Sequence, residues 1–149
     1  MGYLIDTAVL VRLANTKDAQ HGVAAQAVLE LHRRGEALHI TPQVLIEFRN
    51  VATRPVAVNG LGLSTGETEN LSALFESRFS LLPDSPDIFP AWKDLVEKLG
   101  VSGKRVHDAR IVAVCHVHQV THILTFNVSH FTQMAGHRPG LVVVDPPSV

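Results

Sequence analysis

The chain has 149 residues, 46% hydrophobic and 18% charged, with a formal net charge of -1. That balance excludes a disordered chain and gives no electrostatic sign of a nucleic-acid partner, while the length suits one domain, 1–149, with a sizeable core. A single cysteine, Cys115, excludes an internal disulfide and suits the reducing cytoplasm, and no window approaches the roughly 20 apolar residues of a membrane span.

The N-terminal stretch MGYLIDTAVLVRLAN lacks a basic segment before its short apolar run, so no secretion signal is expected. Residues 3–5 form a strand candidate, and a helix follows from 7 to about 14. A second helix spans about 18–34, with Val23, Ala27, Val28 and Leu31 on one side and Gly35 ending it. LHI at 38–40 reads as a strand. Thr41-Pro42 then opens a helix to about 53, threonine as cap and proline in the first turn.

PVAVNGLGL at 55–63 is a loop, and Ser64 with Glu67 matches a capping box for a helix reaching about 78. Residues 80–82 make a third strand, and Ser85-Pro86 starts a helix that ends near Gly100. After VSGKRV comes an apolar helix at 108–119, then HILTF as a strand, a short helix at 127–134 and the strand LVVV at 141–144. Short apolar strands alternating with helices predict an α/β fold, three layers α/β/α around a mainly parallel sheet. In such sheets ligands gather at the carboxyl ends of the strands.

Four polar residues stand where that rule places a site. Asp6 follows its strand directly, Glu47 interrupts the apolar helix VLIEFRNV, Asp108 opens the 108–119 helix, and Asn127 follows HILTF. Each also fits an ordinary role: Asp6, Asp108 and Asn127 as helix caps, Glu47 on a solvent face. Three acids converging in one small domain would repel one another unless a cation held them. Their hard oxygens suit Mg²⁺ or Mn²⁺ rather than a soft metal.

The pieces YLIDTAVLVRLAN, TPQVLIEFRNVATR, VHDARIVAV and ILTFNVSHF resemble, in order and spacing, the PIN-domain nucleases, and among them the VapC-like ribonuclease toxins. The resemblance implies Mg²⁺- or Mn²⁺-dependent cleavage of RNA, with Asp6, Glu47 and Asp108 as metal ligands. The family's fourth position is often Asp; here it is Asn127, which offers an oxygen without a charge. A small antitoxin partner and a homodimer are further implications. RNA has to be drawn past an acidic site, and Lys104, Arg105, Arg49, Arg12 and Arg54 are the basic residues expected to help.

Other classes compete. CHVHQVTH brings Cys115, His116, His118 and His122 close in sequence, yet no second pair has the spacing of a zinc site. A phosphate-receiving signalling domain would want an acidic pair early in the chain, whereas Asp6 stands alone. NGLGL does not follow a strand as a phosphate-binding loop does. A catalytically silent PIN-like module that binds RNA or a protein is the remaining alternative.

Overall fold

The computed structural model describes residues 2–149 and lays five short strands side by side. In chain order the elements are β1 (Gly2–Ile5), α1 (Thr7–Ala14), α2 (His21–Arg33), β2 (Ala37–Ile40), α3 (Pro42–Thr53), α4 (Thr65–Arg78) and β3 (Ser80–Leu81). There follow α5 (Ile88–Leu99), α6 (Arg105–Val117), β4 (His122–Leu124), α7 (Val128–Gly136) and β5 (Val142–Val144). The sheet order is β3-β2-β1-β4-β5, and every neighbouring pair is parallel. Leu4, Ile5, Ile123 and Leu124, on the two central strands, are fully buried. A parallel sheet covered on both faces requires such consecutive buried apolar residues.

The chain steps from β1 to β2 to β3 in one direction, then returns across β1 to β4 and on to β5. Right-handed crossovers put the helices of the two legs on opposite faces. The packing agrees: α1 lies against α2 and α3, and α3 against α4, while α5 packs on α6 and α6 on α7. The expected three layers are present, and the sheet is parallel throughout. Among the described residues no helix is long and apolar enough to cross a membrane.

The local signals explain most boundaries. The Thr41 hydroxyl accepts from the Val44 N–H at 3.1 Å, and Ser64 and Glu67 complete both halves of their capping box. Gly35, at a φ of 75°, closes α2 by donating to the His32 carbonyl. Three helix starts differ from expectation. Asp18 and Ser85 each accept a hydrogen bond from the backbone two residues on, which spends them in turns, so α2 begins at His21 and α5 at Ile88. Conversely α6 begins one turn early, at Arg105, because Gly103 at a φ of 61° reverses the chain and accepts from the Val106 N–H. Asp108 therefore lies inside the first turn of α6 instead of capping it.

Loop 55–63 folds back on α3, with the Leu61, Gly62 and Leu63 N–H groups donating to Val51, Arg54 and Ala52. Of HILTF, only His122–Leu124 pairs as a strand, and α7 extends to Gly136.

The strand order reverses at β1 and β4, so a crevice opens beyond their carboxyl ends. Register pairs Ile5 with Leu124, which brings the next residues, Asp6 and Thr125, alongside each other.

Candidate active site

Asp6 leaves β1 with extended backbone and begins α1 at once. Its side chain is buried, and both oxygens are held: Oδ1 accepts from the Thr7 N–H at 2.8 Å and Oδ2 from the Thr125 hydroxyl at 2.6 Å. It is thus a helix cap and a strand-end carboxylate together. Burial pushes its pKa up to about 6; the two hydrogen bonds oppose that rise, and the negative charges of Asp108 and Glu47 add to it.

Glu47 reaches the same place from the middle of α3. The Thr7 hydroxyl donates to its Oε2 at 2.5 Å, and Gln43, one turn earlier on α3, donates to its Oε1 at 2.9 Å. Asp108 enters from α6, half-buried, with its pKa raised by desolvation and opposed by the His130 imidazole, whose Nδ1 lies 3.4 Å from Oδ2. Asn127 occupies the cap position of α7, yet its side chain makes no capping hydrogen bond. Its N–H donates instead to Thr125 Oγ1, which links it to Asp6 through one hydroxyl.

Asp6, Glu47, Asp108 and Asn127 line one cavity of about 280 Å³, shared with Thr7, Ala8, Val11, Arg12 and Val51. Among the described residues, no three His, Cys, Asp or Glu side chains stand together as a metal-binding group. The oxygens of Asp6 and Glu47 are turned toward Thr7, Thr125 and Gln43.

The basic residues separate into two kinds. Arg12 sits on the cavity wall, its guanidinium 4.6 Å above the Phe126 ring and tied to Gln20 and the Ala8 carbonyl. Lys104 and Arg105 are exposed where α6 begins. By contrast Arg49 is paired with Glu69 of α4, and Arg54 donates to Asn59 within loop 55–63.

Sequence reasoning missed Thr7, Thr125, Gln43 and His130. Thr7 and Thr125 adjoin strand ends, and Gln43 stands one helical turn before Glu47, a spacing that could have flagged it. His130 stands one turn after Asn127.

The model of the PIN domain matches residues 3–136. This chain belongs to the PIN-domain family. Solved structures with the same fold include VapBC2 from Rickettsia felis bound to a promoter DNA fragment, with a TM-score of 0.71 and 18% identity, covering 97% of this chain and 98% of that one. VapBC-1 from nontypeable Haemophilus influenzae gives a TM-score of 0.68 at 16% identity, covering 98% of each chain. Mycobacterium tuberculosis VapC20, described as a sarcin-ricin-loop-cleaving toxin, gives 0.66 at 19% identity, covering 88% of this chain and 94% of that one. No curated protein matches the sequence. At these identities the PIN fold is what is shared.

Proposed function

We propose that this PIN-domain protein is a metal-dependent endoribonuclease, acting as the toxin of a toxin–antitoxin pair in the cytoplasm. The observation that carries the reading is the convergence of Asp6, Glu47, Asp108 and Asn127 on one cavity at the strand-order reversal. The residues fit a hard divalent cation. All four offer oxygen donors, and Asp6 is buried with no cationic partner within its hydrogen-bonding set, so its charge is left for a bound cation to offset. Asp6, Glu47 and Asp108 would hold Mg²⁺ or Mn²⁺, and Asn127 would add an amide oxygen. The ion supplies Lewis-acid activation of water and neutralises charge on the phosphate oxygens.

The chain's own residues prepare that site. Thr7 and Gln43 fix both oxygens of Glu47, while Thr125 and the Thr7 N–H fix those of Asp6. Arg12, Lys104 and Arg105 draw the RNA backbone toward the cavity, with Arg49 a lesser contributor because Glu69 already engages it. The similar VapBC structures and the sarcin-ricin-loop-cleaving VapC20 support an antitoxin partner and an RNA substrate. A homodimer is proposed from the resemblance to VapC-like toxins alone.

Incubating purified protein with a panel of single-stranded and structured RNAs, with and without Mn²⁺, tests the reading. Metal-dependent cleavage by wild type but not by Asp6→Asn supports it. RNA binding without cleavage by either would favour a silent binding module. The toxin role is tested separately: expression of the wild-type chain should arrest bacterial growth, and Glu47→Gln should relieve the arrest at equal soluble yield.

A further inference from the structure

Gln43 is the second residue of α3, and its amide is the hub of a chain of hydrogen bonds that joins three parts of the molecule. Nε2 donates to Glu47 Oε1 at 2.9 Å and to the His107 carbonyl of α6 at 2.8 Å. Oε1 accepts from Arg110 Nη1 at 3.2 Å, and Arg110 Nη2 donates to Asp84 Oδ1 at 3.0 Å, just beyond β3. Both amide hydrogens and the amide oxygen are engaged. Reversing the amide would face its oxygen with a carboxylate and a carbonyl, and its NH₂ with a guanidinium, so one orientation satisfies every partner.

The order along this chain is acid, amide, guanidinium, acid: Glu47, Gln43, Arg110, Asp84. Arg110 is the nearest cation along it to Glu47, yet it is held one amide away. A guanidinium directly on Glu47 would form a charge-assisted pair and compete with any divalent cation for that carboxylate. The amide orients Glu47 as a neutral donor does, without cancelling its charge. It also ties Glu47 to the carbonyl preceding Asp108, which holds two mutually repelling acids on α3 and α6 at a set spacing.

We infer that Gln43 is a positioning residue and a spacer: it orients Glu47 while keeping the Arg110 guanidinium off the metal-binding carboxylate. The inference rests on the metal-nuclease reading. It predicts an unusual pattern in variants, because removing the spacer harms the site partly by releasing Arg110. Removing Arg110 as well should therefore restore what its release cost.

The test titrates the metal-free full-length chain with Mn²⁺ by calorimetry and by the electron paramagnetic resonance signal of free Mn²⁺. Gln43→Met keeps the side-chain length and should weaken Mn²⁺ binding about tenfold, and Arg110→Met should stay within about threefold of wild type. The double variant Gln43→Met/Arg110→Met should recover to within about threefold of wild type. Gln43→Leu, alone and with Arg110→Met, repeats the comparison should the methionine variant fold poorly, as judged by metal-free melting. A double variant that binds Mn²⁺ as weakly as Gln43→Met, or more weakly, overturns the spacer role and leaves the metal centre standing. Wild type that takes up no Mn²⁺ overturns the metal centre and the inference with it.

Discussion

The two ends of the central sheet carry cavities of similar size and opposite character. Beyond the carboxyl ends of β1 and β4, about 280 Å³ is lined by three acids and an amide that arrive from four separate elements. Near the amino end of β4, about 300 Å³ is lined by Val112, Cys115, Val120 and Leu141, with His116 and Arg138 among the polar groups. Volume does not tell the two apart. The difference lies in how the polar groups are held: at the acidic end each carboxylate of the β1 and α3 pair has both oxygens engaged, whereas the histidines near the other end face separate tasks. His118 contacts the Pro83 carbonyl, His122 stacks on Tyr3 at 4.4 Å, and His116 is exposed. Cys115 is buried in the core, and burial pushes its thiol up to about 12, which leaves it an inert packing residue in the metal-free chain. The CHVHQVTH cluster is a cluster in sequence only.

The sharpest way to break this contrast is substitution at each end. Asp6→Asn and Asp108→Asn should each lower metal-dependent RNA cleavage by at least about a thousandfold with the far-ultraviolet circular dichroism unchanged, while Cys115→Ala should leave cleavage within about twofold. Comparable losses at both ends in single-turnover assays would erase the distinction.

Protonation offers the next largest effect. The Asp6 carboxyl has a folded-state pKa of about 6 against an ordinary value of 3.8, so the folded chain binds this proton more tightly than the unfolded chain. The contribution of Asp6 to stability is therefore most favourable below pH 4, falls as pH rises through about 6, and is constant above that. Its span is at most about 3 kcal/mol. Urea titrations of metal-free wild type and Asp6→Asn across pH 4–8 should give a difference in unfolding free energy that grows in favour of Asp6→Asn up to about pH 6 and then levels off. A flat difference would mean that Asp6 is not held as a desolvated charge.

Asn127 sharpens the comparison further, because it is the one uncharged member of the group. Asn127→Asp should tighten Mn²⁺ binding about tenfold, roughly 1.4 kcal/mol, and lower metal-free stability by adding a fourth carboxylate. Asn127→Ala should weaken cleavage less than Asp108→Ala. Thermal unfolding with and without Mn²⁺ reads the first pair of effects. A metal-induced shift and a metal-free stability both unchanged in Asn127→Asp would place residue 127 outside the centre.

The smallest effect is expected away from the cavity wall. Arg49→Ala removes an exposed ion pair with Glu69 and should change cleavage by no more than about twofold, whereas Arg12→Ala should raise KM several-fold. Equal changes would show that both arginines meet RNA alike.

Much of this architecture was legible from short-range chemistry. Thr41-Pro42 and the Ser64–Glu67 pair marked helix starts because a cap needs only residues within one turn of it, and Asp6 stood out because a carboxylate in an apolar run requires a reason. The start of α6 was misplaced because Asp108 has the chemistry of a cap, while the turn at Gly103 that actually starts the helix lies outside any apolar periodicity. Thr125 was invisible for a different reason, as was the second contact of Gln43, whose first contact, to Glu47, is local. The partners are Asp6, 119 positions from Thr125, and the His107 carbonyl, 64 positions from Gln43, and no local pattern carries such contacts.

The pairing of β1 with β4 also sets a timetable. The bond from Thr125 to Asp6 spans nearly the whole chain, so closing it waits on the strand that emerges late in synthesis. A nascent chain halted before residue 122 carries Asp6, Glu47 and Asp108 but lacks the neighbour that seats Asp6 in the sheet. The ribosome therefore extrudes a chain whose acids are not yet gathered, and Asp6 gains its Thr125 partner only once β4 has docked.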